Sequence, residues 1–136
     1  MVKTFSIKSN FNNITPLTKK IDLLLSKNGI SKEICNSITI ALLESLNNVI
    51  KHSYNNNQTE IIKLKLQINT NCISIKIIDY GIARKNVNKP KIEFNCSEIE
   101  TLPESGMGLF IIENLMDQTT YISESGLNIL TLIKKI

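Results

Sequence analysis

A chain of 136 residues with 42% hydrophobic content has room for one domain on a single core, and no apolar run is long enough to span a bilayer. The net charge is +4, but the lysines are dispersed, Arg84 is the single arginine, and no basic run or aromatic interleaving marks a nucleic-acid surface. The start, Met1 to Ser6, has no apolar signal core, which predicts no export; Cys35, Cys72 and Cys96 lack metal-type spacing and suit a reduced cytoplasm as small buried hydrophobes.

Residues 2 to 8 alternate, with Phe5 and Ile7 on one side, and read as a first strand. Thr15-Pro16 is a helix start, with Thr as cap and Pro in the first turn. Leu17, Ile21, Leu24 and Leu25 form its apolar face, and Asn28-Gly29 ends it. Ser31 caps a second helix running to about Tyr54, with a buried stripe of Ile34, Ile38, Ala41, Leu42, Ser45 and Val49. Asn55-Asn56-Asn57 breaks it.

Ile62, Leu64, Leu66 and Ile68 alternate with Lys63, Lys65 and Gln67, which predicts a half-buried strand. A turn at residues 69 to 71 leads to a partner strand carrying Ile73, Ile75 and Ile77. Residues 80 to 104 have no sustained periodicity and contain Pro90 and Pro103, as a long functional loop does. A third helix is predicted from about Gly108 to Asp117, with Leu109, Ile112, Leu115 and Met116 inward. Residues 119 to 123 and 127 to 135 close as a hairpin around Ser125-Gly126. The order predicts one domain, residues 1 to 136, folded as a two-layer α/β (α+β) sandwich. Three helices cover one face of a mixed, mainly antiparallel sheet.

Three blocks carry chemistry. Glu44, Asn48 and His52 stand at i, i+4 and i+8 of the second helix and share one stripe beside the apolar one. An amide oxygen there suits magnesium, and a carboxylate one turn away suits a general base. Asp79 ends a strand, where a carboxylate can accept from the exocyclic amine of adenine. Gly81, without a Cβ, lets a planar base approach the backbone. Gly106-Met107-Gly108 precedes a helix, where free N–H groups and the helix dipole favour phosphate. A polar helix face, a plain Asp-x-Gly turn and a loop entering a helix would each explain one block alone. Their order together points to a magnesium nucleotide.

These residues resemble the GHKL ATPase superfamily, which has the Bergerat nucleotide-binding fold. Glu44-x-x-x-Asn48-x-x-x-His52 resembles its N box, Asp79-x-Gly81 its G1 box and Gly106-x-Gly108-Leu109 its G2 box. Within it, the N box with Tyr54 and the string Ser105-Gly-Met-Gly108 followed by Ile112-Glu-Asn-Leu-Met-Asp117 are similar to the bacterial anti-sigma factor serine kinases of sporulation and general stress. The resemblance implies a cytoplasmic, dimeric protein serine/threonine kinase that uses ATP and Mg2+. Such a protein sequesters a sigma factor and phosphorylates a serine on an anti-anti-sigma (STAS-type) partner, with no direct nucleic-acid or membrane contact.

By the same resemblance, Glu44 is the general base, Asn48 the magnesium ligand and Asp79 the adenine reader. Gly81 lines the base pocket, and Ser105, Gly106, Met107, Gly108 and Leu109 border the phosphates. Residues 84 to 104 form the lid. The chain departs from the pattern at Ala83, where a third G1 glycine is usual, and at Glu104, where a basic residue is common; Arg84 from the lid would compensate. It also departs at Gly126-Leu127-Asn128, where Gly-Thr is usual. These departures motivate an alternative: a non-catalytic ATP-binding regulator that sequesters a partner.

Overall fold

The computed structural model describes residues 1–83 and 104–136, the side chains of 104–109 excepted. The strands are β1 (Val2–Lys8), β2 (Ile61–Ile68), β3 (Cys72–Asp79), β4 (Gln118–Glu124) and β5 (Leu127–Lys135). The helices are α1 (Ile14–Lys27), α2 (Lys32–Asn48) and α3 (Glu104–Leu115), with a 3₁₀ turn at Phe11–Asn13 before α1 and a π-helical segment, Val49–Ser53, continuing α2.

The sheet runs β1-β2-β3-β5-β4, and every neighbouring pair is antiparallel. The expected mixed sheet is corrected on this point. β3 and β4 run the same way and are joined through α3, but β5 lies between them and pairs with both, so no two parallel strands are neighbours. Alternation sets the faces. Ile62, Leu64 and Leu66 of β2 and Ile73, Ile75 and Ile77 of β3 are buried. They form one core with Ile21 and Leu25 of α1, Ile38, Leu42 and Leu46 of α2, and Ile112 of α3. Each fully buried side chain of this size contributes about 1.5–3 kcal/mol of transfer free energy. α2 packs against both α1 and α3.

The helix ends show what local sequence decides. The Ser31 hydroxyl accepts from the Ile34 N–H at 3.3 Å and caps α2. Gly29, at φ 78°, follows the Asn28 cap of α1 in the left-handed region. α1, however, begins before Thr15. Its cap position is Asn13, and the Thr15 carbonyl accepts from the Thr18 hydroxyl at 2.9 Å. Proline has no N–H to lose anywhere in the first turn, so Pro16 marks the turn without fixing which residue opens it. Along α2 the buried stripe lies slightly round from its expected place: Cys35 and Leu46 are buried and Ile34 is half-buried. The β4–β5 hairpin turns through Ser125 (φ 54°) and Gly126 (φ 79°), the pair of left-handed residues that matches strand twist.

α3 starts at Glu104, four residues before the expected Gly108, and ends at Leu115. Glycine usually interrupts a helix, but here Gly106 and Gly108 lie within it. No helix among the described residues is long and apolar enough to cross a membrane.

Candidate functional site

The end of α2 is where the polar residues of the first block sit. Glu44 is half-buried and Asn48, the last α-helical residue, is 8% exposed. Beyond Asn48 the winding changes. The Tyr54 N–H bonds the Val49 carbonyl at 3.0 Å, five residues back. A π segment inserts an extra residue per turn and is frequent at functional sites. His52 lies within this π segment and is exposed, whereas Asn48 is buried. Glu44 and Asn48 stand one turn apart on the α-helical part.

The Asn48 side-chain nitrogen is buried without a hydrogen-bond partner among the described residues. Such a group costs roughly 1–3 kcal/mol unless something external satisfies it. It is an N–H donor lacking an acceptor, which a water or phosphate oxygen would supply.

The π segment is tied to the turn after β3. Tyr54 is buried; its hydroxyl donates to the Ile61 carbonyl at 2.5 Å and accepts from the Tyr80 N–H at 2.9 Å. Burial pushes its phenol above the ordinary tyrosine value, with the Tyr80 hydrogen bond acting the other way. The Ile82 N–H donates to the Ser53 carbonyl at 2.8 Å. The third contact explains Gly81. A Cβ on it would stand 2.2 Å from the Ser53 carbonyl oxygen and 2.6 Å from the carbonyl carbon. The protein's own backbone is thus sufficient to require glycine at this position. Gly81→Ala is expected to cost at least about 2 kcal/mol and lower the melting temperature by roughly 5–10 °C, read by calorimetry.

Asp79 is 2% exposed at the end of β3. Its Oδ1 accepts from the Gly81 N–H at 3.0 Å and from Asn128 Nδ2 at 2.8 Å. Asn128 lies directly opposite it in the β3–β5 register. Sequence reasoning noted Asn128 only as a departure. The missed signal was a polar residue on the parity of Leu130 and Leu132, the inward face of β5. Ala83 is exposed just beyond the turn. Gly81 also borders an open cleft of about 410 Å³ with Ser53, Tyr54 and Tyr80, but neither Asn48 nor Asp79 lines it.

The third block is placed by its backbone alone. Glu104, Ser105, Gly106 and Met107 form the first turn of α3, whose N–H groups have no partner within the helix. Gly108 and Leu109 follow in the second turn. The side chains of 104–109 lie outside the described residues, as do Arg84, Cys96 and the expected lid up to residue 103. The structure thus ties the end of the first block to the second, and packs the helix of the third against α2. Of the cysteines, Cys35 is buried and Cys72 half-buried, both free thiols. Burial raises the Cys35 thiol pKa.

Comparison with known proteins places the chain in a family and a fold. A family profile described as "Histidine kinase-like ATPase domain" matches residues 7–134. Serine-protein kinase RsbW of Staphylococcus aureus strain MSSA476 is 36% identical over 110 residues, covering 78% of this chain and 69% of the relative. RsbW of strain JH9 matches to the same extent. A structure of RsbU and RsbW domains from Mycobacterium tuberculosis superposes with a TM-score of 0.71 at 15% identity, over 98% of this chain and 32% of the other. The SiaB–SiaC complex from Pseudomonas aeruginosa contains a chain that superposes with a TM-score of 0.62 at 12% identity, over 98% of this chain and 89% of that one. At these identities the two structures share the fold.

Proposed function

This chain belongs to the histidine kinase-like ATPase domain family, and from that premise we propose that it is an ATP-dependent serine-protein kinase acting as an anti-sigma factor in a partner switch. The observation that carries the reading is Asn48, a buried amide with no internal partner for its nitrogen among the described residues, one turn beyond a half-buried carboxylate. The kinase relative, 36% identical over most of the chain, supplies the reaction type.

The residues are read in these roles. Asp79 accepts the exocyclic amine of adenine. Glu44 takes the proton of a serine hydroxyl as its oxygen attacks the γ-phosphorus; the bond from that phosphorus to the bridging oxygen breaks, and ADP leaves. The first-turn N–H groups of α3 face phosphate. Gly81, Ala83 and Arg84 belong to the base side of the site, with Gly108 and Leu109 on the phosphate side. Asn48 would hold Mg2+ through its neutral amide oxygen, and the ion would offset charge on the phosphates; the unpartnered Asn48 N–H would donate to a phosphate or water oxygen. We further propose a cytoplasmic homodimer whose partners are a sigma factor and a STAS-type anti-anti-sigma protein, bound without direct nucleic-acid contact.

The test is capture of partners on the immobilised chain from the native cell, with and without ATP, followed by phosphosite mapping. A phosphoserine on a small retained protein, formed only with ATP, is the expected result. Retention of a partner that never acquires phosphate would leave a binding regulator in place of a kinase.

A further inference from the structure

Resting on Asp79 as the base reader, we propose that Asn128 is a positioning residue that makes Asp79 selective for the 6-amine of adenine, with Ser123 holding Asn128 in the orientation this requires. Asn128 is 1% exposed. A buried amide is costly unless its groups are paired, and here they are. Its Nδ2 donates to Asp79 Oδ1 at 2.8 Å and to the Gly81 carbonyl at 3.0 Å. Its Oδ1 accepts from the Ser123 hydroxyl at 2.8 Å.

The surroundings fix which way the amide points. A carboxylate and a carbonyl on one side are both acceptors and require the nitrogen to face them. The Ser123 hydroxyl on the other side, able to donate or accept, donates to the oxygen left facing it and anchors the amide in place. Asp79 Oδ1 then receives two N–H donors, from Gly81 and Asn128. Rotating the carboxylate would break both bonds, so its plane is set by the protein before any nucleotide arrives. A group held as an acceptor favours a base that presents a donor there and disfavours one presenting a carbonyl oxygen. Asn128 touches Asp79 and the Gly81 backbone, and acts on the base through Asp79.

The test is calorimetric titration of the 136-residue chain with ATP and with purine riboside triphosphate, which lacks the 6-amine. Parent, Asn128→Leu, Ser123→Ala and Asp79→Asn are compared. The parent is expected to prefer ATP. Asn128→Leu loses about tenfold of that preference and Ser123→Ala about threefold, while affinity for the deaminated analogue holds. A purely structural role would lower both affinities together and leave their ratio alone. An unchanged ratio in the Asn128 and Ser123 variants, with the ratio lost in Asp79→Asn, overturns this inference and leaves the base-reading role standing. An unchanged ratio in Asp79→Asn overturns both. If Asn128→Leu does not fold, Ser123→Ala, at an exposed position, decides alone.

Discussion

Asp79→Asn is expected to weaken ATP binding by about 10–100-fold while leaving the fold intact. The reason lies in the donors already around the carboxylate. Its Oδ1 accepts from the Gly81 N–H and Asn128 Nδ2. An asparagine must keep its oxygen toward those two donors, because its NH2 would meet them head-on. The NH2 then falls where the second carboxylate oxygen stood, and on the proposed reading it presents a donor to the donating amine of adenine. The exchange is nearly isosteric, so the apolar packing beneath, of Ile75 and Ile77 at 0% exposure, is undisturbed. Calorimetry with ATP measures the loss and thermal unfolding checks the fold. An affinity equal to the parent's would remove Asp79 from the base site.

Glu44→Ala is expected to separate binding from chemistry. Phosphoryl transfer to a serine acceptor falls by about 10²–10⁴-fold, the usual contribution of a positioned general base, while ATP affinity stays close to the parent's. Glu44 is half-buried on α2, one turn before Asn48, so truncation removes a carboxylate from the site's edge without opening the core. Glu44→Gln keeps the shape and loses the base, and should fall alongside it. Initial rates with labelled ATP, read beside binding isotherms, give the split. Undiminished transfer in either variant would take Glu44 out of the mechanism.

The strands were legible because one face of each is buried and the alternation survives in the sequence. Ile62, Leu64 and Leu66 keep their places from the sequence to the core. Ser31 was legible because a cap is a local bargain between one hydroxyl and one N–H. Three features were hidden for physical reasons. The π winding at Val49–Ser53 spans too few residues for its period to part from that of an α-helix. The first turn of α3, Glu104 to Met107, was read as lying before a helix that starts at about Gly108; packing of α3 against α2 is what the sequence could not display. Asn128 meets Asp79 across 49 residues of chain, and only the pairing of β3 with β5 brings them together.

That pairing has a consequence for folding. Side chains alternate across a strand, so sliding β5 by a single residue against β3 would bring Leu127 or Ile129 opposite Asp79 and swing Asn128 to the far side of the sheet. The purine recognition proposed for Asp79 exists only in the correctly zipped arrangement. Nucleotide would therefore act as a proofreader of strand alignment, drawing the population toward the one pairing able to receive it.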